Sequence, residues 1–248
     1  TSDTGDTFVY DVTAPGITIT ATEVSTGGSY NDAISVIATF DESMTGIADG
    51  EVTASGCSLS TLAGSGAVYT TTCTPSSDGL VTISVAASVG TDAAGNANTA
   101  ATDFTYTYDS GSPSTTITSS ADDPTNGATI EVTITFGQSV TGLVVSEVVV
   151  TGGSVTLSGS GATYTATITP TADGTITVNV AAGVASDAAG NGNTIASEFS
   201  IVSDQNDAPS ITSTAVATGT EDTAYSYSIT ATDADDGSPN SNTITLAC

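Results

Sequence analysis

Lysine, arginine and histidine are all absent from this 248-residue chain, against 27 aspartates and glutamates, so its formal net charge is −27. Ordinary domains mix both signs of charge, so a total lack of cations sets strict limits. Nothing in the chain can neutralise phosphates, which excludes nucleic acid as a partner. Anionic membrane surfaces are excluded for the same reason. Uncompensated self-repulsion in the folded state calls for salt or counter-ions. Without histidine or lysine, serine and threonine have no ordinary base to activate them as nucleophiles. Tryptophan is also absent and the aromatic content is low, so a carboxylate pair acting on glycosides would lack a stacking platform. No glycine-rich loop precedes a lysine, which removes nucleotide cradles. The expectation is a protein that is not an enzyme. No run approaches the length of a membrane span and no signal peptide is evident, so a mature region or a piece of something longer is expected.

What is present is Val, Ile and Ala set among Thr and Ser, a composition that favours strands. In Leu80–Ala87, "LVTISVAA", Val81, Ile83 and Val85 share one face while Thr82 and Ser84 take the other, the period of a half-buried strand. Similar runs lie at Ile17–Thr22, Ala33–Phe40, Glu51–Leu59, Ala67–Thr74 and Asp103–Tyr108, with a further short one around Met44–Ala48. No window carries a helical period.

The chain repeats itself at a spacing of about 95 residues, a normal size for a small sandwich. "TDAAGNANT" (Thr91–Thr99) returns as "SDAAGNGNT" (Ser186–Thr194). "ATFDESMTG" (Ala38–Gly46) returns as "ITFGQSVTG" (Ile134–Gly142). "GSGAVYTTTCTPSSDGLVTISVAASV" (Gly64–Val89) returns as "GSGATYTATITPTADGTITVNVAAGV" (Gly159–Val184). "DFTYTYD" (Asp103–Asp109) returns as "EFSIVSD" (Glu198–Asp204). Four segments follow: 1–11, the last strand of a preceding unit; 12–109 and 110–203, two six- or seven-stranded antiparallel sandwiches; and 204–248, the opening strands of a different unit.

Three cysteines are present. Cys57 and Cys73 flank a hairpin centred on Ser65 in Gly64-Ser65-Gly66, which would set them opposite each other as a disulfide. The alternative is two buried thiols. A disulfide implies an oxidising, extracytoplasmic setting. Its positions correspond to Gly152 or Gly153 and to Ile168 in the second copy, so it is an addition to one repeat. Cys248 pairs beyond this stretch, between chains, or not at all.

The motifs "TF(D/G)xSxTG", "YTxTxTPxxDGxxTxxVAA" and "DAAGNxNT" resemble the bacterial Ig-like domains found in tandem in large surface and adhesin proteins. "DQNDAPSI" (Asp204–Ile211) and "DADDG" (Asp233–Gly237) resemble the linker and following motif of bacterial cadherin-like domains, although the Asn of that pattern after Asp207 is missing. The resemblance implies an all-β chain of tandem Ig-like sandwiches with an incomplete cadherin-like third unit. It also implies an extracellular or cell-surface stalk of an adhesin, its partners being neighbouring repeats of the same chain.

By the same resemblance, Asp204, Asn206, Asp207, Asp233 and Asp235 would hold Ca²⁺ between the second and third units, with Glu221 and Asp236 nearby. Calcium takes six to eight oxygens from carboxylates, amides and carbonyls, which suits such a ligand-rich spacing. Asp92, Asn96, Asp109, Asp187 and Asn191 at the unit ends are weaker candidates. "DAAGN" reads first as an aspartate-started turn with a left-handed glycine. Asp3-Thr4-Gly5 and Asp109-Ser110-Gly111 have the form of aspartic-protease triplets, but both sit in polar linkers and not at the ends of apolar strands.

The incomplete ends raise a second reading. Phe8–Val12 could complete the open third unit of another molecule, making identical subunits a filament by strand complementation. An accessory module of a polysaccharide-degrading enzyme is the third reading.

Overall fold

In the computed structural model, residues 10–205, 208–214, 218–222 and 230–232 are described. By contact they group into two compact bodies, one of residues up to Pro113 with Ser186–Gly192, the other of Ser114–Ala185 with the residues from Asn193 on. The first and second units are the two sequence repeats, 12–109 and 110–203.

The first unit contains β1 (Ile17–Ala21), β2 (Ser29–Tyr30), β3 (Ile34–Met44), β4 (Val52–Ser55), β5 (Cys57–Leu59), β6 (Ala63–Pro75), β7 (Gly79–Val85) and β8 (Phe104–Tyr108). They make two sheets, ordered β1-β3-β6-β5 and β2-β8-β7-β4. Along β3, Ile34, Val36, Ala38 and Phe40 turn inward while Ser35 and Thr39 face solvent. Ile19, Ile34, Val36 and Cys73 meet Val52, Val81, Ile83, Val85, Phe104 and Tyr106 from the other sheet in one core, while Ala38, Phe40, Met44 and Tyr69 form a second cluster. Two inner faces of alternating β-branched residues can bury their apolar area only against each other, which is what closes the sandwich.

The second unit repeats the plan with β9 (Thr115–Ser119), β10 (Ile130–Val140), β11 (Val148–Thr151), β12 (Gly153–Pro170), β13 (Gly174–Val180) and β14 (Phe199–Ser203). Its sheets are β9-β10-β12 and β11-β13-β14. β3 and β10 share one burial pattern residue for residue, as do β7 and β13. Both units also carry the same edge-to-face ring pair, Phe40 with Tyr69 and Phe136 with Tyr164, at 6.0 and 5.9 Å. Beyond residue 205, Ser210–Ile211 pairs antiparallel with Ala231–Thr232. Most residues of the cadherin-like reading of 204–248 lie outside those described, as does the expected strand Phe8–Val12 at its N-terminal end.

Two expectations about the strands need correction. Glu51–Leu59 is not one strand: β4 belongs to one sheet and β5 to the other, and the chain crosses between them at Gly56. There φ is +84°, and a Cβ would stand 2.7 Å from the Leu80 carbonyl oxygen. Gly152 makes the same crossing between β11 and β12, at φ +79°. The segment Met44–Ala48 is no separate strand, because β3 runs on to Met44 and Thr45 then bridges Thr91.

The cysteines are bonded, with Cα atoms 5.7 Å apart. They do not face each other directly, since the β5–β6 register pairs Cys57 with Pro75 and Leu59 with Cys73. The hairpin is centred one residue later than Ser65, because Gly64 and Gly66 both take positive φ and reshape the turn. Inside, the Cys73 sulfur lies 3.8 Å from the Tyr106 hydroxyl. Burial, then Tyr108 and Glu23, push the Tyr106 phenol up to about 12.

Candidate functional site

The repeated phrase "DAAGN" builds a tight loop in each unit. Asp92 Oδ1 accepts the Ala94 and Asn96 backbone N–H groups, both at 2.8 Å, and its Oδ2 accepts the Asn96 side-chain amide at 2.8 Å. Asp187 repeats this with Ala189, Asn191 and the Asn191 amide at 2.9, 2.9 and 3.1 Å. Gly95 and Gly190 supply the positive φ that an aspartate-started turn of this shape requires.

Each loop is then pinned to the strands behind it. Asn98 Oδ1 accepts from Val89 and Gly90, and its amide donates to the Ala86 and Thr99 carbonyls. Asn193 does the same with Ala185, Ala181 and Thr194, and also donates to Thr115 Oγ1. Both asparagines are 2% exposed, so a full set of partners is what makes their burial tolerable.

The loops also hold the chain where it leads into each unit. The Asn96 amide donates to the Asp11 carbonyl at 3.2 Å, and the Asn191 amide to the Asp109 carbonyl at 2.8 Å. A second device holds the chain where it leaves. Asp78 Oδ1, in the turn before β7, accepts the Ser110 N–H at 2.9 Å and its hydroxyl at 2.8 Å. Those bonds keep the Asp78 carboxyl below its usual range. Asp173, in the turn before β13, accepts the Gln205 N–H at 2.6 Å.

At the first lead-in, the carboxylates of Asp11, Glu42 and Asp92 converge, with their oxygens within 4.8 Å of one another. Burial first, then the charges of Asp92, Asp11 and Asp41, raise the Glu42 carboxyl above its ordinary value. Burial acts on Asp92 in the same direction, but the hydrogen bonds from Asn96, Ala94 and Gly95 together outweigh it and hold that carboxyl low. Such a set of hard oxygens beside an amide suits Ca²⁺ in chemistry. In the second unit the matching positions are Asp109, Gln138 and Asp187: the glutamate has become a neutral amide, and Asp41 has become Gly137.

Of the calcium candidates, Asp92 and Asn96 therefore lie at this cluster, and Asp187 and Asn191 in the second copy of the loop. Asp109 lends its carbonyl to Asn191, while its carboxylate accepts the Gly111 N–H at 2.9 Å. Asp204 and Glu221 join no group of three carboxylates among the described residues. Asn206, Asp207, Asp233, Asp235 and Asp236 lie outside the described residues. Asp11 and Glu42 were not singled out in the sequence. The clue available was the recurring Tyr-Asp pair, Tyr10-Asp11 and Tyr108-Asp109, at the head of each repeat.

Two stacked antiparallel sheets, built twice in tandem with matching lead-in and exit bonds, define a tandem β-sandwich protein. A model of the bacterial Ig-like domain matches residues 11–108 and again residues 109–203. The chain belongs to the bacterial Ig-like domain family. No curated protein sequence matches it. Among solved structures it is similar to the Escherichia coli adhesin FdeC, at 17% identity and a TM-score of 0.37, over 78% of this chain and 65% of that one. It is similar to the Yersinia pseudotuberculosis adhesin InvE at 13% identity and a TM-score of 0.27, over 76% and 58%. It is also similar to the C-terminal domain of AspA, an antigen I/II-family protein of Streptococcus pyogenes, at 8% identity and a TM-score of 0.32, over 78% and 99%. The chain spans less than two thirds of the two adhesin structures. Among the described residues no helix is long and apolar enough to cross a membrane.

Proposed function

We propose that this chain is a spacer segment of an extracellular bacterial surface adhesin, non-catalytic, with Ca²⁺ as the ion that settles its acidic joints. The observation that carries the reading is the recurrence of one joint. Asn96 and Asn191 hold the lead-in of their units, while Asp78 and Asp173 hold the exit. Residues spent twice on fixing how the chain arrives and departs are what a spacer needs and what a binding pocket or active site does not. The disulfide supports an oxidising compartment. The wholly acidic composition supports a partner list without nucleic acid.

Calcium would enter at Asp11, Glu42, Asp92 and the oxygens around Asn96, and at the carboxylates around Asp204 in the following linker. Its charge would offset the burial, and after it the repulsion from Asp92, Asp11 and Asp41, that raise Glu42.

The test is calorimetry and light scattering on the full chain, with excess calcium and with chelator. A calcium-dependent rise in unfolding temperature with monomers throughout supports the spacer reading. Particles that grow with concentration would move the strand-complemented filament ahead of it, and identical scans in both buffers would remove the ion.

A further inference from the structure

Among the described residues every strand ladder is antiparallel except one place in each unit, where the final strand pairs parallel with a short early segment. In the first unit β2 lies beside β8. Gly27 N–H donates to the Thr105 carbonyl at 2.7 Å, Thr107 N–H to Gly28 at 2.8 Å and Asp109 N–H to Tyr30 at 3.2 Å. Thr26 Oγ1 also accepts the Thr105 N–H at 3.2 Å. In the second unit Thr125 lies beside Ser203. Thr125 N–H donates to the Val202 carbonyl at 2.9 Å and Asp204 N–H to the Thr125 carbonyl at 2.8 Å. Asp123 Oδ1 accepts the Val202 N–H at 3.0 Å.

The stretches that make this pairing are among the least alike in the two repeats, "TEVSTGGSYNDA" (Thr22–Ala33) against "SADDPTNGAT" (Ser120–Thr129). A hydroxyl does in one what a carboxylate does in the other. Parallel pairing is also slightly the weaker kind per residue, so general stability does not call for it. What it does provide is direction. When a tandem chain is stretched, the early segment of each unit is drawn toward its N-terminal side and the last strand toward its C-terminal side. Two parallel strands drawn that way must slide past each other, so all their hydrogen bonds share the load. An antiparallel pair drawn at the same ends would open one bond at a time.

We propose that these sandwiches bear tension, and that the parallel pairs β2–β8 and Thr125–Ser203 are the parts that resist it. This rests on the spacer reading for its purpose but not for its test. Tension-bearing is a property of each folded unit, wherever the chain resides.

The experiment stretches the full chain between its two ends, one molecule at a time. The disulfide marks which unit has opened. It closes off a sequence separation of 16 residues and so shortens the first unit's extension by about 50 Å until a reductant is added. Thr26→Ala and Asp123→Ala each remove one exposed acceptor from a pair. Ser58→Ala and Thr171→Ala remove exposed hydroxyl bonds elsewhere in the same units, to Thr74 and Gly152. Forced unfolding reports the unfolding rate under load. Thr26→Ala should speed opening of the first unit alone, and Asp123→Ala of the second alone, by about 2- to 10-fold at a given load. The two control variants should leave the rates under load unchanged despite comparable shifts in unfolding temperature. Rates under load that follow unfolding temperature across all four variants would overturn the proposal. So would a wild-type chain whose units open gradually instead of in single abrupt steps. A chain later found away from any cell surface would sink the spacer reading and leave these rates as they are.

Discussion

Asn98 and Asn193 show how much of each unit hangs on one side chain. Each is buried and fully partnered, joining the loop to the strands on either side of it. Asn98→Ala would strip partners from the Val89 and Gly90 amides and the Ala86 carbonyl, of which the Gly90 bond is buried and the other two part-buried, at a cost of about 1–3 kcal/mol. Calorimetry should show the first unit melting lower and the second unmoved. Glu42 is the opposite case, a residue that the fold holds against burial first and then the repulsion of its neighbours. Its folded-state pKa is raised, so the folded form binds that proton more tightly than the unfolded form, and stability from this group grows as pH falls through the raised value. Asp92, held low, contributes stability above its unfolded value and loses it as pH falls through the folded one. Glu42→Gln copies what the second unit already has at Gln138. In chelator it should raise the first unit's unfolding temperature at neutral pH, and the gain should vanish on acidification through the Glu42 pKa. In calcium the same variant should lose the ion's benefit. A Glu42→Gln chain no more stable than wild type at pH 7 would show that the cluster is not repulsive.

Among the elements, β5 and β6 carry the one covalent bond that separates the two units. Closing a loop of this length stabilises by about 3 kcal/mol through the unfolded chain. Cys57→Ala with Cys73→Ala, or a reductant, should therefore lower the first transition by roughly 10–20 °C for a unit of this size. The second unit, with Gly153 and Ile168 in their place, should not move. Much of this layer was legible in the residues. The alternation in β3 and β7, the hairpin behind the cysteines and the loop built by Asp92 and Gly95 all follow from local pattern and turn chemistry. What stayed hidden depended on distant parts of the chain. Glu51–Leu59 reads as one run, but its apolar positions shift from Val52 and Ala54 to Cys57 and Leu59, and at the shift Gly56 passes so close to the Leu80 carbonyl that the run divides between two sheets. β2 has only two residues, too short for any period, and exists because β8 offers it an edge. The carboxylate cluster was half legible, since Asp92 and Asn96 stand in the repeated phrase. Asp11 and Glu42 join it only once the lead-in and the end of β3 are folded beside that loop.

At the scale of the whole molecule the governing quantity is a charge of −27 with no cation in the chain to answer it. Any salt should stabilise both units by screening, because exposed charges farther apart than the Debye length, about 10 Å at 0.1 M, cease to repel appreciably. A divalent ion should do more than sodium at the same ionic strength, and that gain alone says nothing about a site. The discriminating comparison is calcium against magnesium. Magnesium demands near-ideal octahedral geometry and gives up its waters reluctantly, whereas calcium accepts irregular sets of six to eight oxygens. Calorimetry of the full chain at matched ionic strength should resolve two transitions, with the first unit's identified by its fall when the disulfide is reduced. Screening predicts that both transitions rise equally in the two ions. A site at Asp11, Glu42 and Asp92 predicts an extra rise in calcium confined to the first unit, because Gln138 leaves the second with one carboxylate fewer. At calcium about 100-fold above the dissociation constant that extra is about 2.7 kcal/mol, large enough to separate from screening by several degrees. An excess that appeared in the second transition as well would place a further ion at the linker carboxylates around Asp204. No excess in either would leave the acidic surface as a matter of screening alone.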